Sequence, residues 1–357
     1  MNECTSLSLY QRAVQDTAAK NVLFVTQHRD FVTGYHTYTD YVKSHLANTG
    51  VQFVHASIGP PLSPWSQTLS SIEEMATTNL PEVKGSTLTI VSLPIQTCDS
   101  QAVDALIAYI LRVSTRILIV HHDSWLFFDG KLRPPKHLGP PVVTSWFGAR
   151  YKDTLANTMR QNRRIISQLS TAIHVAPSTY IKDVLTSAGI SSVVVPHPMK
   201  ERLARFACPT AFVKRANERP TVLLSTLYKS NNAKLFGFLN ACCSRNLHKK
   251  FRFVILSMEL PNLEQHDEAI CEGWYEFGLF SNWYNTIALL RQSVAYLDFS
   301  QYHESFGFLV REALALGLRV WYDPRGGLAD IVDFTSQRFP IENAEFFSSF
   351  LQVHAHD

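Results

Sequence analysis

A chain of 357 residues with 33 lysines and arginines against 30 aspartates and glutamates carries a net charge of only +3, and its 46% hydrophobic content excludes an extended disordered protein. It is too long for one ordinary core, so two domains are expected. No apolar run nears the ~18 residues of a membrane span, the start MNECTSLSLYQRAVQDTAAK lacks a secretory pattern, and six cysteines without CxxC spacing are neither a disulfide framework nor a zinc site. A reducing, cytoplasmic setting is the expectation.

The first buried strand is NVLFVTQ (21–27). TQHRDFVTG leads from it into the helical pattern YHTYTDYVKSHLANTG, with Gly34 at the helix start, where a phosphate or sugar could approach. TLTIVSLP (87–94), the helix DALIAYILRVS and RILIVHH (116–122) follow, the last running into HHDSW. Adjacent histidines on a strand point to opposite faces, so one of His121 and His122 faces the ligand side; His122 is preferred, with Asp123 beside it. No third ligand at helical spacing accompanies them and no Asp-x-Asp occurs, so no metal site is expected.

WLFFDGKLRPPKHLGPPVVTSWFGARYK then mixes aromatics with positive charge. Arg150, Lys152, Arg160, Arg163 and Arg164 stand against Asp153 alone. The bland reading is a solvated helix face; the sharper one is a surface for an anionic acceptor, nucleic acid or phospholipid. TAIHVAPS (171–178), the helix YIKDVLTSAGI and SVVVPHP (192–198) close a first domain over 1–199. A basic, irregular stretch is the linker, 200–219, and a second domain runs over 220–357. There TVLLST (221–226), AKLFGFLNACCSR, FRFVILS (251–257) and VAYLDFS (294–300) continue the alternation. Unbroken β-branched strands separated by helices indicate parallel sheets covered on both faces.

After VAYLDFS comes HESFGFLVREALALGLRVWYDPRGGLADIV (303–332). Gly307 precedes the helix FLVREALALG, and Gly317 follows its last apolar residue as a C-terminal stop. A helix N-terminus favours phosphate, and Gly307 would let backbone approach a ligand closely. Glu304 and Glu312 would repel phosphate but suit hydroxyls. Phosphate in the middle with a polyol at each end describes a nucleotide-sugar.

This E-x7-E segment, with FG, the A-x-A-x-G helix end and the glycine pair, resembles the donor-binding signature of retaining glycosyltransferases with the GT-B fold. The resemblance implies two Rossmann-like domains with parallel sheets facing each other across a cleft. It implies sugar transfer with retention, metal-independent and without a cofactor, the nucleotide-diphosphate-sugar being a co-substrate. Glu304 would meet the transferred sugar and Glu312 the ribose. The backbone at Ser305, Phe306, Gly307 and Phe308 would surround sugar and phosphates, and Gly326 and Gly327 match the family's glycine pair. EFGLF, with Gly278, takes the place of the loop near the base, and a histidine, His121 or His122, would contact the sugar.

The chain departs from the family in places. Where the family has Arg and Lys on the diphosphate, LLSTLYKSNNAKLFG offers Lys229 and Lys234, Lys229 preferred as nearer the strand end. His197-Pro198 stands for the usual Asn-Gly, a glycine pair after the first strand is missing, and the last segment IENAEFFSSFLQVHAHD is short. The acceptor implied is a glycan or lipid-linked glycan, with possible peripheral contact to a membrane. The alternatives are a viral-type glucosyltransferase acting on a modified base in DNA, in an infected host cell, or a non-catalytic nucleotide-sugar-binding protein. A phosphorylase or a nucleotide-sugar epimerase would share the fold.

Overall fold

The computed structural model describes residues 3–29, 34–62, 80–95, 99–122, 152–197, 219–227, 233–257, 267–279, 283–299 and 304–331. The chain divides into two units: unit 1 is Met1–Arg202 with His303–Phe306, and unit 2 is Leu203–Tyr302 with Gly307–Asp357. The expected linker, apart from Arg219, lies outside the described residues, as do the aromatic-basic stretch 125–151 and the final segment 341–357.

Unit 1 runs α1 (Glu3–Asp16), β1 (Asn21–Arg29), α2 (Gly34–Leu46), β2 (Gln52–Leu62), β3 (Thr87–Leu93), α3 (Ser100–Val113), β4 (Arg116–His121), α4 (Lys152–Gln168), β5 (Ile173–Ala176), α5 (Thr179–Ser187) and β6 (Ser192–Val194). Its strands form one parallel sheet in the order β2-β1-β3-β4-β5-β6. Alternate residues of each strand serve opposite faces. Leu23, Val25, Val91 and Ile119 pack under α3 and α4, whereas Val22, Phe24, Ile90 and Leu118 pack under α1 and α2. Both faces are therefore covered, which explains the continuous apolar strands. β2 escaped the sequence reading because Gly59, Pro60 and Pro61 interrupt it; it is an edge strand, where prolines are tolerated, and its register with β1 shifts between Gln27 and Arg29.

Unit 2 runs β7 (Thr221–Leu227), α6 (Ala233–Ser244), β8 (Arg252–Ser257), α7 (Asp267–Cys271), β9 (Glu276–Leu279), α8 (Trp283–Gln292), β10 (Ser293–Asp298), α9 (Phe308–Ala315) and β11 (Arg319–Trp321), followed by a 3-10 turn over Gly326–Asp330. The parallel order is β11-β10-β7-β8-β9, the Rossmann arrangement without its sixth strand. Val222, Leu224, Phe253 and Leu297 pack with α6 on one face; Leu223, Val254, Tyr296 and Val320 pack with α8 and α9 on the other. Two doubly wound α/β units are as the strand–helix alternation predicts.

The basic run before Ser170 resolves in part into the outer side of α4. Arg160 and Arg163 are exposed, Arg164 pairs with Asp104, and Met159, Ile165 and Leu169 turn inward. Asn162, on the inward side, is fully buried. Its Nδ2 donates to the Ile95 carbonyl at 2.6 Å and its Oδ1 accepts from the Ile95 N–H at 2.8 Å. One side chain thus pairs both backbone groups of the residue just beyond β3. Asn162→Leu is expected to cost about 3 kcal/mol, because both lose their partner in a dry place. Urea unfolding checks this, and a variant within 0.5 kcal/mol of wild type contradicts it.

Candidate functional site

Helices leave successive strands for opposite faces at one point in each sheet, and ligands of open α/β sheets bind outside the strand carboxyl ends there. In unit 2 that point lies between β7 and β10, which pair through Leu224 and Leu297 and through Ser225 and Asp298. α6 leaves β7 for one face; the chain after β10 delivers α9 to the other. The helix of the E-x7-E segment, α9, therefore follows the strand at the switch point of the unit 2 sheet.

Residues 304–307 form a turn, and α9 starts at Phe308, as the sequence predicts. Gly307 stands at the N-cap with φ +75°, a backbone state that disfavours any side chain. A Cβ there would lie 2.0 Å from Leu328 Cδ2 and 2.9 Å from its Cγ. The space beside it is filled by Leu328, itself 2% exposed, which adds a packing reason for this glycine. The helix stops in a Schellman arrangement, Gly317 N–H donating to the Leu314 carbonyl at 2.9 Å and Leu318 N–H to that of Ala313 at 3.0 Å, with Gly317 at φ +78°.

Glu312 lies on the second turn of α9 and is fully buried. Glu304 is half-buried in the turn before it, with Ser305; Phe306 is buried and Phe308 half-buried. The glycine pair sits in the 3-10 turn rather than an open loop, Gly327 buried and Gly326 at φ +57°. Arg311, which the sequence reading passed over, connects helix and turn: its Nη2 donates to the Gly327 carbonyl at 2.9 Å. Burial lowers the Arg311 pKa to about 10, with Asp330 and then Tyr322 opposing, so the guanidinium stays charged at neutral pH.

Lys234 is exposed in the first turn of α6, on the helix that follows β7, while Lys229 lies outside the described residues. Gly278 is in β9, opposite Leu256 of β8, on the edge of the sheet. Three strand spacings separate β9 from β10, roughly 14 Å.

In unit 1, order reverses between β1 and β3, and Gly34 is the first residue of α2, the helix after β1. His121 ends β4 fully buried, its Nε2 2.9 Å from Nδ1 of His174 on β5. His122 turns elsewhere: half-buried, its ring stacks on His197 at 5.1 Å, and Tyr38 of α2 meets both rings edge-on at 5.2 and 5.0 Å. Phe306 completes the cluster, 4.9 Å from His197. Beside it the buried Ser178 hydroxyl donates to the Ser305 carbonyl at 2.6 Å. Asp123 lies outside the described residues. His197 was visible in sequence only as a departure from the family pattern; Ser178 stood there only as the end of TAIHVAPS, before the helix YIKDVLTSAGI.

His121 and His174 add a pH dependence. Burial, then the neighbours His174 and His122, push the His121 pKa well below its ordinary 6.5, and burial lowers that of His174. Both are neutral in the fold. Below about pH 6.5 the unfolded chain binds protons the fold refuses, so stability present above that pH falls as pH drops towards the folded values. The slope approaches ~1.4 kcal/mol per pH unit for each histidine. Urea unfolding at pH 7.5 and 5.5 measures it, and His121→Leu should flatten it; an unchanged slope contradicts the assignment.

Among the described residues no three His, Cys, Asp or Glu side chains are grouped to hold a metal ion, and no helix is long and apolar enough to cross a membrane. Cys242 and Cys243 are free and buried, their thiols pushed up to about 12 and 11 by desolvation.

No protein-family profile matches the chain, and no curated protein matches it in sequence. Solved structures similar to it include UDP-GlcNAc 2-epimerase from Neisseria meningitidis bound to UDP-GlcNAc, at 14% identity and TM-score 0.46, covering 99% of this chain and 89% of that one. Anabaena HepE in complex with UDP-glucose is similar at 12% identity and TM-score 0.47, covering 94% and 90%. A putative UDP-N-acetylglucosamine 2-epimerase from Listeria monocytogenes stands at 14% and 0.48, covering 85% and 78%. These are distant likenesses.

Proposed function

We propose that this chain is a glycosyltransferase that takes a sugar from a nucleotide-diphosphate-sugar and passes it, with retention of configuration, to a hydroxyl of a glycan or lipid-linked glycan. The observation that carries the reading is the helix of the E-x7-E segment following the strand at the switch point of the unit 2 sheet, with Glu312 buried in it and a glycine before its first turn.

In this reading the first N–H groups of α9, which have no carbonyl within the helix to bond, face the diphosphate and stabilise the charge that grows on it as the sugar leaves. Glu312 accepts from the ribose hydroxyls, and Glu304 orients the sugar by accepting from its hydroxyls without attacking it. Lys234 adds positive charge on the phosphate side. The departing phosphate takes the proton of the incoming hydroxyl on the face it leaves. Only interactions stronger in the transition state than in the bound donor speed the step, which gives the helix end and Glu304 their separate tasks.

The test is a panel of UDP-, ADP-, GDP- and dTDP-sugars against the purified protein. A true donor at a hundredfold excess over its Kd raises stability by ~2.7 kcal/mol, about 5 °C or more in melting midpoint. Incubation with acceptor then follows the anomeric configuration of the product. Conversion of the donor to its epimer, or transfer only to inorganic phosphate, replaces transfer by those activities; no shift with any donor removes the reading.

A further inference from the structure

The turn bearing Glu304 belongs by its packing to unit 1, whereas the helix that follows it belongs to unit 2. Short turns wander unless something holds them. Ser178 and His197 supply two holds, from segments far away in sequence. The Ser178 hydroxyl, with no exposed surface, donates to the Ser305 carbonyl at 2.6 Å across 127 positions of chain. The same oxygen accepts the Ile181 N–H at 3.2 Å and so caps α5. His197, 5% exposed, meets the face or edge of Phe306 at 87° between ring planes and is backed by His122 at 4°. The carbonyl of residue 305 and the ring of residue 306 are thus gripped on one side of Glu304.

We propose that Ser178 and His197 are positioning residues of the sugar subsite: by holding the Ser305 carbonyl and the Phe306 ring they set where the Glu304 carboxylate stands. The inference rests on the donor reading above.

Ser178 permits a clean separation, because its two bonds have opposite polarity. Ser178→Asp keeps an acceptor for the Ile181 N–H, aspartate being as good an N-cap as serine, but has no proton to give the Ser305 carbonyl. Ser178→Thr keeps both. The probe is whichever of UDP-, ADP-, GDP- and dTDP-glucose stabilises the wild type, with the matching sugar-free diphosphate as control. Ser178→Asp is expected to lower kcat/KM for glucose release at least tenfold, with the Kd of the bare diphosphate unchanged within twofold, both measured well below a melting midpoint that the buried carboxylate lowers. Ser178→Thr restores the rate. In the double variant with Glu304→Ala, Ser178→Asp costs nothing further, since both act through one carboxylate.

Wild-type turnover by Ser178→Asp beside a dead Glu304→Ala overturns the inference and leaves the donor reading standing. Equal loss of sugar-nucleotide and bare diphosphate, or additive losses in the double variant, overturns it also, because Ser178 then acts on the fold at large. Active Glu304→Ala, or a panel in which nothing binds, overturns the donor reading and the inference together.

Discussion

Glu304→Ala is expected to lower sugar transfer by about a thousandfold and to leave the melting midpoint within ~2 °C of wild type. The loss follows from the bonds the carboxylate makes in the proposed site. Hydrogen bonds to a charged group are worth ~1.5–3 kcal/mol each, and two sugar hydroxyls on one carboxylate reach ~4 kcal/mol, which is the thousandfold. The fold should lose little, because Glu304 is half-buried and belongs to none of the buried apolar clusters. Glu304→Gln keeps one acceptor oxygen and should lose less. Sugar release from a panel donor and a melting curve measure both quantities; a variant that turns over near the wild-type rate sinks the role given to Glu304.

Gly307→Ala is expected to destabilise unit 2 by about 3 kcal/mol and to abolish donor binding. Two costs add. A left-handed backbone with a Cβ costs ~1–2 kcal/mol, and the new methyl would lie 2.0 Å from Leu328 Cδ2 in a packed place, for another ~1–3 kcal/mol. Leu328 cannot simply swing aside: it is 2% exposed, packed with Leu309, Val310 and Tyr322, and follows the Gly327 carbonyl that Arg311 holds. Leu328→Ala alone leaves a cavity worth ~2–4 kcal/mol. The double variant should be more stable than the sum of the two losses, because the alanine methyl then has room. Strict additivity in urea unfolding refutes the steric part of this account, and an unperturbed Gly307→Ala refutes all of it.

These two positions also divide the work within the motif. In the proposed site Glu304 would touch the sugar and is expected to be tolerated by the fold, while Gly307 is expected to act on the fold and through it on the site. Arg311 belongs with Gly307: it binds the turn of the glycine pair to α9. A sequence motif of this length therefore contains both kinds of residue side by side, and spacing alone does not tell them apart.

Whatever is written in neighbouring residues could be read from the chain. Apolar strands without alternation, the start of α9 after Gly307 and its stop at Gly317 are short-range consequences of backbone preference and face burial, and the carboxylate pair is visible as spacing. Tertiary structure alone decided which distant groups meet. Ser178 looks like any N-cap until its hydroxyl is found donating to the Ser305 carbonyl; Asn162 looks like one more polar helix residue until it pairs with Ile95. His122, His197, Tyr38 and Phe306 come from four separate segments. The packing reason for Gly307 lies in Leu328, twenty-one residues on. A local preference is carried by the residue itself, but a long-range contact is a property of two positions that only the packed sheets bring together, and one chain read in order carries no mark of it.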